Sequence, residues 1–176
     1  MQKHLVITLT GPDRVGLVEY ITKLILRYDG NVEASRAMRL GGEFAVLMMV
    51  AVPEQNFDNL SEGVRGLHEE GFEITTRPTE RGYSAKYAGW MPYQVKVQGA
   101  DHEGIIHHVT RFLAERGINI ETMDTGMTSA PMSGIPLFTM SAVVVAPPNL
   151  PHDWRDELAA VGDELNVDIE VSRYTG

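Results

Sequence analysis

The sequence predicts an α+β protein in which one β-α-β-β-α-β unit occurs twice, each unit an antiparallel sheet with its helices on one face. Two observations predict it. The stretch LTGPDRVGL, Leu9 to Leu17, reads as a strand end, a tight turn and a helix start, and VQGADHEGI, Val97 to Ile105, repeats it 88 positions later. The stripe that follows the first turn, Leu17, Val18, Ile21, Leu24 and Ile25, recurs without a gap as Ile105, Ile106, Val109, Phe112 and Leu113. Apolar residues at i, i+1, i+4, i+7 and i+8 mark a helix that buries one face, and self-similarity at a fixed offset marks a duplicated unit.

The elements follow in order. Leu5 to Thr10 and Tyr93 to Gln98 alternate as first strands. Asp13 and Asp101 precede the helices, where a carboxylate can cap free N–H groups, and Gly30 and Gly117 stand at the far ends as stop signals. NVEASRAMRL and NIETMDTGMT, opening on Asn31 and Asn119, read as second strands. FAVLMMVAVP, Phe44 to Pro53, matches FTMSAVVVAPP, Phe138 to Pro148, at an offset of 94, so the second half carries six more residues, in the Gly-, Ser- and Pro-rich loop 126–136. The third strand is apolar at every position from Phe44 to Val52, which predicts burial on both faces. Second helices carry the stripes Phe57, Leu60, Val64, Leu67 and Trp154, Leu158, Val161, Leu165, and FEITTR and VDIEVSR close each half. This is the ferredoxin-like order. Residues 1–78 and 93–176 form the two domains. Residues 79–92 link them, with Tyr83, Tyr87, Trp90 and Met91 suited to packing onto a domain.

Composition narrows the chemistry. The 176 residues hold no cysteine, which removes disulfides, thiolate metal sites and a cysteine nucleophile. Fifteen basic and 24 acidic residues give a net charge of −9, against the basic face of a nucleic-acid binder. Only Arg27, Arg36 and Arg39 approach one, so direct nucleic-acid binding is not expected. No signal-peptide core opens the chain and no apolar run of about 18 residues is present, so a cytoplasmic protein away from the membrane is expected. GxSxG, P-loop and GxGxxG motifs are absent. His107 and His108 point to different helix faces, and His102 between Asp101 and Glu103 lacks a ligand-spaced partner. No catalytic residue, metal or cofactor is expected.

LTGPDRVGLVEYITKLILRYDGNV and VQGADHEGIIHHVTRFLAERGINI resemble the opening of an ACT domain, and the tandem pair resembles the glycine cleavage system transcriptional repressor group. The resemblance implies a regulator that senses a small amino acid such as glycine and acts on a DNA-binding transcription regulator by protein contact, as a homodimer. It implies ligand sites where ACT units pair, near the turn and the start of strand two. Carried over by position, the first site is Gly11, Pro12, Asp13, Arg14, Val15 and Gly16 with Asn31. The second is Gly99, Ala100, Asp101, His102, Glu103 and Gly104 with Asn119. The residues themselves admit this chemistry. A helix N-terminus favours a carboxylate, Asn donates and accepts at once, and Asp13 or Asp101 suits an ammonium. They also admit a plain reading, with the aspartates as caps, Gly16 and Gly104 as packing glycines and the asparagines as helix stops. A ligand-independent assembly module is the alternative function.

Overall fold

The computed structural model describes residues 1–80, 86–130, 134–151 and 153–175. The chain divides into two compact units, Met1–Ser84 and Ala85–Gly176. The first runs β1 (Gln2–Pro12), α1 (Leu17–Arg27), β2 (Asn31–Leu40), β3 (Glu43–Pro53), α2 (Phe57–Arg65) and β4 (Glu73–Thr79). The second runs β5 (Met91–Ala100), α3 (Ile105–Glu115), β6 (Asn119–Ser129), β7 (Pro136–Ala146), α4 (Trp154–Leu165) and β8 (Val167–Arg173). Both sheets are antiparallel, in the orders β2-β3-β1-β4 and β6-β7-β5-β8. The ferredoxin-like order read from the repeat is the order observed. β4 includes Pro78 and Thr79, and β5 begins at Met91, so strands reach into the stretch read as linker from both sides. Within it Tyr87 meets Trp90 edge-on at 4.9 Å; Tyr83 lies outside the described residues.

Each core lies between one sheet face and its two helices. In the first unit Leu5, Ile7 and Leu9 of β1 meet Leu17, Ile21 and Ile25 of α1 and Leu60 and Val64 of α2. In the second Val95 and Val97 meet Ile105, Val109 and Leu113, with Tyr93 edge-on to Trp154 at 5.3 Å. Each such side chain contributes about 1.5–3 kcal/mol by leaving water. The stripes narrow by one position, since Val18 and Ile106 are exposed.

Within its own unit the third strand is enclosed on one face. Val46, Met48, Val50 and Val52 are buried, but on the opposite face Leu47 is 48% exposed and only Ala51 is buried. Helices cover one face of the sheet, so a central strand can be apolar on both sides and enclosed on one. The loop 126–136 is corrected in part. Gly126 to Ser129 continue β6, pairing with Thr139 to Pro136, because Gly126 to Thr128 repeat the positions at which Met38 to Leu40 complete β2 in the first unit. Residues 131–133 lie outside the described residues.

Both first helices end on the same hydrogen-bonded turn. Gly30 N–H donates to Ile25 O and Asp29 N–H to Leu26 O; Ile118 N–H donates to Leu113 O and Gly117 N–H to Ala114 O. This is the Schellman pattern, whose left-handed residue is Asp29 (φ 57°) in one helix and Gly117 (φ 68°) in the other. Gly117 is thus the stop signal expected. Gly30 has a different duty, because a Cβ there would lie 2.7 Å from Ile25 Cγ2.

Candidate functional site: the two strand-to-helix turns

Each candidate turn joins a central strand to a helix and is held by two glycines with separate duties. Gly11 and Gly99 permit close approach. A Cβ on Gly11 would stand 2.5 Å from the Phe72 ring, and one on Gly99 2.8 Å from Val167 Cα. Gly16 and Gly104 serve the backbone, with φ of 85° and 94° at the helix N-caps, where side-chain-bearing residues are strained.

The capping role expected of Asp13 and Asp101 is corrected. The helices begin at Leu17 and Ile105, and neither has a side-chain capping hydrogen bond. Asp13 lies three residues before the cap and is occupied otherwise. Its N–H donates to Gly42 O at 3.1 Å, and its carboxylate stands 3.9 Å from Arg39 Nε. The positive ends of α1 and α3 therefore present their first amides without side-chain competition.

Within each unit the asparagines stand apart from the turns. Asn31 pairs with Ala51, and Ala51 with His4, at the start of β1. Asn119 pairs with Val145, and Val145 with Pro92, at the start of β5. Seven residues of first strand, about 23 Å at ~3.3 Å each, separate these points from Gly11 and Gly99. Within one unit no small molecule reaches both. Asn119 instead donates to Glu121 Oε1 at 2.9 Å and to Ile120 O at 3.3 Å, beside an open groove of about 460 Å³ that His107 and Arg111 also line.

The duplicated turns are fastened by different chemistry to the segment that precedes the last strand of each unit. In the first, Arg14 Nη2 donates to Glu70 Oε2 and Tyr20 OH donates to Glu70 Oε1, both at 2.8 Å. The guanidinium lies 4.9 Å from the Phe72 ring centroid and 5.5 Å from that of Tyr20, a cation–π range. The hydrogen bonds from Arg14 and then Tyr20 hold the Glu70 carboxyl below the usual range, and the hydrogen bond to Glu70 raises Tyr20. In the second turn His102 takes the place of Arg14. Its Nε2 lies 2.7 Å from Leu165 O and its Nδ1 3.1 Å from Glu103 O. Carbonyl oxygens only accept, so both contacts are hydrogen bonds only when the ring carries two N–H groups. The Leu165 carbonyl, then that of Glu103, accordingly raises the His102 pKa. Val15 is fully exposed.

Glu70, Tyr20 and the Leu165 carbonyl went unread in the sequence. Glu70 lies 56 residues from Arg14, and no local periodicity connects them; only the β1–β4 pairing does. Among the described residues no group of three or more His, Asp or Glu is placed to hold a metal ion. No described helix is long and apolar enough to cross a membrane.

Comparison with known proteins identifies these units. The ACT-domain family model matches residues 3–77, the whole β1–β4 unit less its ends. The first unit belongs to the ACT-domain family. The chain carries its ferredoxin-like order twice, the second unit repeating the strand order and turn of the first. It is similar to the glycine cleavage system transcriptional repressor of Escherichia coli K12, 34% identical over 113 residues, which are 64% of this chain and 57% of that protein. The chain therefore spans little more than half the length of that relative. Among solved structures, an unknown protein from Galdieria sulphuraria is 31% identical, with a TM-score of 0.82 over 99% of this chain and 100% of its own. A candidate glycine cleavage system transcriptional repressor shares the fold at 20% identity and a TM-score of 0.70, over 100% of this chain and 99% of its own.

Proposed function

We propose that this tandem ACT protein is a non-enzymatic regulator that binds a small amino acid at its strand-to-helix turns and passes the signal to a partner protein. The observation that carries the reading is the pair of N-termini at Gly16 and Gly104, opened by left-handed glycines and free of side-chain caps. Such an end favours a carboxylate. The repressor named above regulates glycine cleavage genes by its name, and glycine is the effector we assign, with serine next. A soluble setting, contact with a DNA-binding regulator rather than with DNA, and association of two copies belong to the same reading.

Calorimetry of the full chain with glycine and serine tests it. Saturable heat is expected, and Gly16→Val with Gly104→Val removes the component that belongs to the turns, because Val at φ near 90° rebuilds them. Flat titrations across the common amino acids defeat the sensor reading. One observation favours the alternative of a ligand-independent assembly module: Arg14 is already engaged by Glu70. Under that alternative, partner capture is the same with and without every amino acid.

A further inference from the structure

The sheet face turned away from the helices differs between the two units. In the second, Asp124 pairs with Ser141 and Ser141 with Lys96; beside them Gly126 pairs with Thr139 and Thr139 with Gln98. The same register in the first unit places Arg36, Leu47 and Thr8 in one row, and Met38, Ala45 and Thr10 in the next. Where the first unit has the side chains of Met38 and Leu47, the second has Gly126 and Ser141, and a hollow of about 420 Å³ opens there. Its polar and small residues come from three adjacent strands, β5, β6 and β7.

The hollow carries unspent polarity. Gln94 Nε2 donates to Ser141 Oγ at 3.0 Å, so the Ser141 hydroxyl keeps its proton for another acceptor. Thr139 Oγ1 donates to Gly126 O at 3.2 Å and keeps its lone pairs. Among the described residues neither Lys96 nor Asp124 has an ion-pair partner. They flank Ser141 from strands on either side, with Cα atoms about 10 Å apart at ~4.8 Å per strand. That leaves room for a small molecule between the two heads. A simple anion meets the Asp124 carboxylate, and a simple cation meets the Lys96 ammonium. A molecule bearing both charges satisfies both.

We propose that this hollow is a binding site for a small zwitterion of the free-amino-acid class, its carboxylate toward Lys96 and Ser141, its ammonium toward Asp124 and Thr139. The site is separate from the turns and does not depend on them.

The test is a titration of the full, ¹⁵N-labelled chain, following amide cross-peaks, with glycine, serine and glutamate in turn, and with acetate and methylamine as singly charged controls. At least one amino acid is expected to move the peaks of Gly126, Thr139 and Ser141 at concentrations where the controls do not. Asp124→Asn and Lys96→Gln are each expected to weaken that response about tenfold or more, the scale of a lost charge-assisted contact. Gly126→Met, which installs the first unit's residue, is expected to abolish it, while Gly16→Ala and Gly104→Ala leave it in place. Spectral dispersion reports folding of each variant in the same measurement. Peaks unmoved by all three amino acids, equal shifts with acetate, or shifts that survive Gly126→Met in a folded protein overturn the proposal.

Discussion

Single residues in the turns make separable contributions. A Cβ on Gly16 would meet open space, but the backbone there has a φ of 85°, so Gly16→Ala is expected to cost about 1–2 kcal/mol through backbone strain alone. Gly99 has an ordinary φ, but its Cβ would stand 2.8 Å from Val167 Cα. Backbone yields less readily than a side chain, and Gly99→Ala is expected to cost about 1–3 kcal/mol as overpacking. Urea denaturation of both variants checks the pair. His102 makes a pH-dependent contribution. Its folded pKa is raised by the Leu165 carbonyl first, so its stabilisation is complete below the unfolded value near 6.5 and disappears as pH rises through the folded one. Denaturation midpoints of the wild type and His102→Gln should therefore converge as pH rises above that window. A constant gap between them would show that the imidazolium is not what holds the turn.

Helix ends illustrate how much of the fold a sequence displays at the scale of elements. The two stripes, the strand alternation and the 88-residue offset all survive in the structure, because burial writes them into contiguous residues. Caps were less legible. Asp13 and Asp101 stand where a capping side chain is usual, yet a left-handed glycine starts each helix and pushes the aspartates out of reach. Asn31 and Asn119 were joined to the turns by resemblance, and only strand register reveals that they occupy the far ends of the sheets. Arg14 was legible as a turn residue, but its engagement by Glu70 requires the β1–β4 pairing. The far helix end yields a test of its own. Asp29 carries the left-handed position that Gly117 fills in the duplicate. Asp29→Gly is expected to raise stability by about 0.5–1 kcal/mol, net of a small entropic loss, and Gly117→Ala to lower it by about 1–2 kcal/mol. Opposite shifts in the denaturant midpoint check both at once.

Across the whole molecule, duplication supplies two copies of one scaffold and divergence gives them different chemistry. The first turn is fastened by a guanidinium–carboxylate pair and a phenol, the second by an imidazole on two carbonyl oxygens. Arginine stays charged across the accessible range, and the Arg14 partner Glu70 is held ionised, so the first turn keeps its form from mild acid to mild base. His102 carries a positive charge beside the second turn only below its folded pKa. A carboxylate ligand at that turn loses a cationic neighbour, and the turn loses one tether to Leu165, as pH rises. If both turns bind an amino acid as proposed, calorimetry near pH 6 of the Gly126→Met chain, in which the sheet-face hollow is filled, is expected to show two sites of comparable affinity. Near pH 8.5 one site should remain unchanged and the other weaken by about tenfold. His102→Gln should show the weakened second site at both pH values, and Arg14→Gln should leave the pH response of that site intact. Identical titrations at the two pH values would mean that the exchange of arginine for histidine alters how the turns are held without altering what they bind.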